Sequence, residues 1–329
     1  MNLLLSANTQ AALLLTAPLI DGATELRADL LTPKEYRKIH SLLAPFKLQP
    51  CDLIQSELPE LPEELMTVVD SKRLRTLLDR GFQLTQALER WHARGIWVAG
   101  NSADEEYPRR IIQRLPDHAP PVIYGCGDHS LLETGGLAVV GSRQVDDWLT
   151  QYAEDIGRLA AQANISIISR GARGIDQASM RAVLEAGGRT VGVVSDSLER
   201  AALHREHREF ILEGRLTLIS PYDPSAGFNV GHAMQRNKLI YALSDAAVVV
   251  NSDFEKGGTW AGAIEQLEKF RLVPVYVRSK GDLGKGLDGL LEHGAMLWPN
   301  PNQADDLLQL IEEAQVPETR PVAEQLSLL

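Results

Sequence analysis

Cysteine is almost missing from this 329-residue chain: Cys51 and Cys126 are the only two. Two thiols make neither a disulfide framework nor a metal cluster, so a reducing cytoplasm is the expected setting. A surplus of positive charge is also missing, with 33 Lys and Arg against 44 Asp and Glu and a net charge of −11. That balance excludes a protein that coats nucleic acid through a uniformly basic surface. The acid is uneven. Residues 1–134 hold 14 cations and 18 anions, 135–300 hold 18 and 20, and 301–329 hold one and six. The near-neutral middle leaves room for a local cationic groove. Long hydrophobic runs are few. MNLLLSANTQAALLLTAPLI lacks a basic start and is interrupted by Asn8, Thr9 and Gln10, so it reads as a buried helix rather than a signal peptide or membrane span. His204 and His207 are three apart with no third ligand nearby, and no nucleophile–base set stands out. Neither a metal, a cofactor nor a catalytic residue is expected.

What the chain does have is apolar material for a large core, at 44% hydrophobic residues, and length for two or three units. Residues 1–94 read as a small helical domain. Pro33 suits a first helical turn, 35–43 follows with apolar spacing, and 72–91 is periodic with Gly81 interrupting it. From Gly95 the period changes. Short apolar runs at 96–99, 120–127, 137–140, 165–168, 190–194, 216–219, 246–250 and 273–277 read as strands. Helical patterns at 147–163, 174–186, 201–212, 233–243 and 259–270 alternate with them. That alternation predicts an α/β fold with a doubly wound, mostly parallel sheet over 95–300. One more helix at 303–314 and an acidic tail fill 301–329.

In such a sheet, ligands collect beyond the carboxyl ends of the strands. The chain loads those ends with glycine and cations. LAVVGSR at 137–143 turns at Gly141 and brings Ser142 and Arg143 to a helix start, where unpaired N–H groups favour anions. SRGARGID at 169–176 supplies Arg170, Gly171 and Arg173, with Asp176 in a first helical turn. NSDFEKGGTWAGA at 251–263 leads Gly257, Gly258 and Thr259 into a helix, and Arg236, Asn237 and Lys238 open an apolar helix between these loops. Each loop alone is as well explained by tight packing as by a ligand. Three on one edge point to phosphate.

This set, in this order, resembles the DNA-processing protein A family, DprA or Smf, across roughly residues 95–300. VGSR at 140–143, GARGID at 171–176, RNKLI at 236–240 and GGTWAGA at 257–263 carry the likeness, with YPRRI from Tyr107 and PPVIYG from Pro120 leading into it. The chain departs from the family in having Arg170 where Gly or Ser is usual and in a bulkier glycine loop. It resembles a divergent branch, with DNA uptake and defence against foreign DNA both left open. The resemblance implies a Rossmann-like core that binds single-stranded DNA without catalysis, loading of a RecA-type recombinase, and a homodimer. On the matching motifs it implies phosphate contacts at Arg143, Arg170, Arg173, Arg236 and Lys238, with Gly171, Gly257, Gly258 and Thr259 shaping the loops. Tyr222, Phe228 and Trp260 are candidates to stack on bases.

The competing class is a nucleotide sensor or a phosphoribohydrolase on a related core, whose GGxGTxxE loop carries a catalytic Glu. Here Glu265 falls six residues after Thr259 rather than three, which displaces it by most of a helical turn. GSRQVDD is not a dinucleotide fingerprint. Finally, Gln325 to Leu329, QLSLL, looks like the short peptide by which bacterial replication and repair proteins dock on the sliding clamp.

Overall fold

Nine strands form one sheet in the computed structural model, which describes residues 5–19, 29–54, 61–101, 104 and 106–315. The amino-terminal helices are α1 (Ala7–Thr16), α2 (Pro33–Leu43), α3 (Ser71–Leu78) and α4 (Gly81–Ala93). Their boundaries follow from caps. Thr32 accepts from the Glu35 amide at 3.2 Å while the Glu35 carboxylate accepts from the Thr32 amide at 2.7 Å, a capping box. Asp70 caps α3 through the amides of Lys72 and Arg73. The apolar start is a buried helix as expected, and the buried Arg80 donates to the carbonyls of Leu14 and Ala17 at its carboxyl end. A cation there meets the negative end of the helix dipole. Burial pulls this guanidinium down to about 10.

Strand β1 (Trp97–Gly100), helix α5 (Arg109–Arg114) and strand β2 (Val122–Cys126) follow, then β3 (Leu137–Val140) and α6 (Asp147–Gln162). The alternation continues with β4 (Ile167–Ser169), α7 (Ile175–Glu185), β5 (Thr190–Val193), α8 (Leu198–Ala202), α9 (Arg205–Leu212) and β6 (Leu216–Ser220). After α10 (Val230–Leu243) come β7 (Ala246–Val249), α11 (Gly257–Ile264), β8 (Val275–Val277), α12 (Gly284–Glu292), β9 (Met296–Leu297) and α13 (Ala304–Gln315). The sheet order is β1-β2-β6-β5-β4-β3-β7-β8-β9. Strands β3 to β9 run parallel, and β1 and β2 are antiparallel, β2 pairing with β6. From β3 the chain winds outward through β4, β5 and β6, then returns to the other side of β3 as β7. The winding reverses at β3.

Alternate residues of one strand feed opposite cores. Leu137 and Val139 pack with α6 and α7, while Ala138 and Val140 pack with α10, α11 and α12. A strand buried on both faces has no reason to alternate in polarity, which is why these runs are uninterrupted. Three boundaries differ from the sequence reading. The helix expected over 201–212 is two, because His204 is extended and starts a new one. The segment expected as one helix over 259–270 relaxes into a π-turn over Glu265–Phe270. Strand β8 starts at Val275, since Pro274 has no amide to give the ladder. Helix α12 and the short edge strand β9, whose two side chains are exposed, have no counterpart in that reading. Among the described residues, no helix is long and apolar enough to cross a membrane.

Trp91 of α4 joins the amino-terminal helices to the sheet, its ring edge-on to Tyr124 of β2 at 5.0 Å and 73°. It is almost wholly buried. Trp91→Ala is expected to lower unfolding stability by about 3–5 kcal/mol, the range for emptying a large aromatic site. Urea denaturation with the m-value checked measures it, and a loss below about 1 kcal/mol would show that the helices are only loosely attached.

Candidate nucleic-acid interface

The loops after β3, β4 and β7 meet at the carboxyl edge, where the winding reverses. Two glycines let them approach. A Cβ on Gly141 would lie 2.4 Å from the Ile175 side chain, and one on Gly174, at φ +83°, would lie 2.4 Å from the Ser142 carbonyl. The turn after β3 is thereby pressed onto the start of α7, and Ser142 is half-buried in the joint.

Asp176 is the centre of this edge and has no exposed surface. Its carboxylate accepts from the Gly141 amide at 3.1 Å, the Arg170 amide at 3.3 Å, and the Arg170 guanidinium through Nε at 2.6 Å and Nη2 at 2.7 Å. Arg170 donates further to the Gly141 carbonyl at 2.6 Å and to Thr259 Oγ1 at 3.1 Å. Thr259 in turn donates to the same carbonyl at 2.9 Å. Burial works against the Arg170 charge, but Asp176 outweighs it and holds the guanidinium above its ordinary value. Arg170 was expected to present its charge to a ligand, yet its side chain is 9% exposed and turned inward. The physical reason is the buried carboxylate, which would otherwise stand uncompensated.

The expected RNK run does not act as one patch. Arg236 is buried and donates to the carbonyls of Val193 and Arg170, and its Nε has no partner. Burial, reinforced by Arg170, brings it down to about 9, so it is charged at neutral pH. Asn237 donates to the Gly258 carbonyl at 2.8 Å and fixes the start of α11. Lys238 points elsewhere, donating to Gln235 at 2.6 Å on the outer flank, where burial lowers it and Glu265 opposes that. Successive helix residues are about 100° apart, which separates the three.

The exposed part of the edge is cationic and open. Arg143 is exposed and lies 5.8 Å over the ring of Phe228, itself 58% exposed. Arg173 and Gly171 are exposed beside them. Helix α11 starts at Gly257 and Gly258 behind the exposed Lys256, without a side-chain cap on its first amides. Lys256 is a residue the sequence reading passed over, although its place before GG marks it. Of the three aromatic candidates, Phe228 alone is on the surface. Tyr222 stacks on His232 at 3.8 Å, and Trp260 packs against Phe254 at 5.0 Å. Glu265, the carboxylate of the competing enzyme reading, sits on the flank 3.8 Å from Lys269. Among the described residues no group of three or more His, Cys, Asp or Glu could hold a metal ion.

A doubly wound, mostly parallel sheet whose carboxyl edge carries exposed guanidinium groups braced from below by an ion pair defines a Rossmann-like protein. The chain belongs to the DNA recombination-mediator protein A family, whose pattern matches residues 100–312. Protein Smf of Escherichia coli is 31% identical over 219 residues, covering 63% of this chain and 56% of that protein. DNA processing protein DprA of Bacillus subtilis is 28% identical over 207 residues, covering 61% and 68%. The chain spans about half the length, 50%, of its Mycobacterium tuberculosis relatives. DNA processing protein A of Streptococcus pneumoniae shares the fold with a TM-score of 0.64 and 20% identity, over 86% of this chain and 95% of that one. The Helicobacter pylori protein, described with a unique single-stranded DNA binding mode, gives 0.54 and 24% identity, over 66% and 96%.

Removing one member of a buried pair leaves a bare charge. Arg170→Met is expected to lose about 3–5 kcal/mol of stability, and Arg170→Met with Asp176→Leu to regain a clear part of it. Chemical denaturation of both variants reads the difference. Equal losses would mean that Asp176 is compensated without Arg170.

Proposed function

We propose that this protein binds single-stranded DNA along the carboxyl edge of its sheet and does no covalent chemistry on it. The observation that carries the proposal is the exposed Arg143 lying over the exposed Phe228, with Arg173, Lys256 and the uncapped start of α11 on the same edge. Guanidinium groups and backbone amides hold phosphates whatever the sequence, and an exposed ring offers a face to any base. A single strand exposes both features at once, whereas a duplex hides its bases. Membership of the family supports the same reading. Ser142, Gly171, Gly257, Gly258 and Thr259 shape the backbone that faces the strand. Arg170, Arg236 and Asn237 act beneath it by holding that backbone in place. Lys238 lies outside this track.

Labelled oligothymidylate, followed by anisotropy at two salt concentrations, tests the proposal. The logarithm of affinity should fall with the logarithm of salt by about 0.7 per phosphate held, and Arg143→Ala or Arg173→Ala should reduce that slope by roughly one contact. Phe228→Ala should cost about 1–3 kcal/mol of binding without changing the slope. Salt-independent binding, or full affinity in the double arginine variant, would remove the site. Unchanged nucleoside monophosphates after long incubation are expected. Release of free base, abolished by Glu265→Gln, would promote the phosphoribohydrolase reading instead.

The partners follow from the same reading. Delivery of the strand to a RecA-type recombinase and action as a homodimer are part of the proposal. The QLSLL peptide, Gln325 to Leu329, lies outside the described residues, and we assign it docking on the sliding clamp. Its Gln and apolar end supply one hydrogen-bonded anchor and one pocket filler, so affinity on the order of micromolar is expected for so short a contact. Deleting these five residues should abolish association with a purified clamp and leave oligothymidylate binding unchanged. Equal clamp retention by full-length and shortened chains would dismiss the assignment.

A further inference from the structure

The reversal point of a doubly wound sheet is where a free nucleotide would seat its phosphate, on the amides at the strand–helix turn. Here that crevice is already full. Asp176 takes the Gly141 amide, the Arg170 amide and the Nε and Nη2 of the Arg170 guanidinium, so a carboxylate of the protein itself stands where the ligand's phosphate oxygens would be. Arg170 closes the remaining side by reaching Gly141 and Thr259. The Thr259 hydroxyl is turned to the same Gly141 carbonyl rather than outward.

We infer that Arg170 is a specificity-determining residue: together with Asp176 it plugs the mononucleotide crevice, so the chain rejects free nucleotides and holds only a strand long enough to reach several outer contacts. The inference rests on the single-stranded DNA reading and deepens it. A lone phosphate entering the crevice meets a buried negative charge and finds the nearest donors in use. The groups left for phosphate, at Arg143, Arg173 and the first turn of α11, are spread along the edge over separate loops. A mononucleotide engages one of them at a time. A strand engages them together, and each further contact is intramolecular once the first is made.

The plug also separates two jobs that one arginine could have shared. Arg143 and Arg173 stay exposed and serve the ligand, whereas Arg170 serves the fold of the loops. A residue that merely braced the loops would change strand affinity when removed and leave nucleotide rejection as it was. A plug, even one that also braces, admits a small ligand when it is removed.

Three chains separate these outcomes: the wild type, Asp176→Asn, and Arg170→Gly combined with Asp176→Asn. The single variant keeps the Arg170 bonds to Gly141 and Thr259 and removes only the charge, so it remains informative if the double variant is poorly folded. Titration calorimetry with thymidine monophosphate and with inorganic phosphate is run beside oligothymidylate anisotropy. The wild type is expected to ignore the monophosphate at millimolar concentration. Both variants should bind it roughly tenfold or more tightly than the wild type does, because the buried carboxylate charge that repels phosphate is gone. Binding of the monophosphate by the wild type as tightly as by the variants would overturn the inference, and so would folded variants that show no gain. Failure of the wild type to bind oligothymidylate would instead sink the strand-binding reading, and the monophosphate comparison would still decide whether the crevice is plugged.

Discussion

A buried guanidinium–carboxylate pair holds the carboxyl edge of this sheet together. Asp176 belongs to α7, Arg170 to the end of β4, and the groups they reach belong to the turn after β3 and the first turn of α11. The end of β4 and the start of α7 are thus tied by two side chains to the turn after β3 and to the first turn of α11. An exposed pair of this kind would be worth little. Buried, with Asp176 accepting four hydrogen bonds, the pair is costly to break from one side. The glycines at 141 and 174 make the geometry possible, and the pair makes it rigid.

That rigidity matters because nothing else at the edge is held so firmly. The exposed cations ride on loops, and an arginine on a loose loop loses conformational freedom each time it meets a phosphate. Anchoring the loop backbone from beneath leaves only the side chain to be ordered on binding. Arg236 contributes to the same support by gripping the carbonyls of Val193 and Arg170, and Asn237 by gripping that of Gly258. The loop backbone is thus hydrogen-bonded from below, while Arg143, Arg173 and Lys256 are exposed above it.

Much of this was legible in the sequence. The strands stood out because a run such as LAVV, buried on both faces, has no polar interruption, and regular alternation carried the doubly wound sheet, while the reversal at β3 is visible only in the strand order. The glycine loops stood out by composition. What could not be read was the direction of individual charges. Arg170 and Asp176 are six apart in sequence, a spacing that no helix or strand periodicity brings together, so Arg170 read as a phosphate contact and Asp176 as a helix-start carboxylate. Arg236 and Lys238 looked like one basic cluster because adjacent letters hide the turn of a helix. The antiparallel pairing of β1 and β2 was equally hidden, since two short strands ahead of a parallel series carry no mark of their direction. The split at His204 was hidden too, because Leu203 keeps the apolar pattern running through a position where the backbone leaves the helix.

At the far side of the sheet, β9 is two residues long and pairs only with β8, while at the other end β1 lies under α1. At the β9 border, the unpaired edge of the nine-stranded sheet is therefore only a dipeptide wide. Unpaired backbone of that length gives another chain almost nothing to continue, and Pro299, two residues further on, has no amide to extend the pairing. At this border, recognition by another chain is thereby left to side chains, which can be selective, rather than to backbone, which cannot.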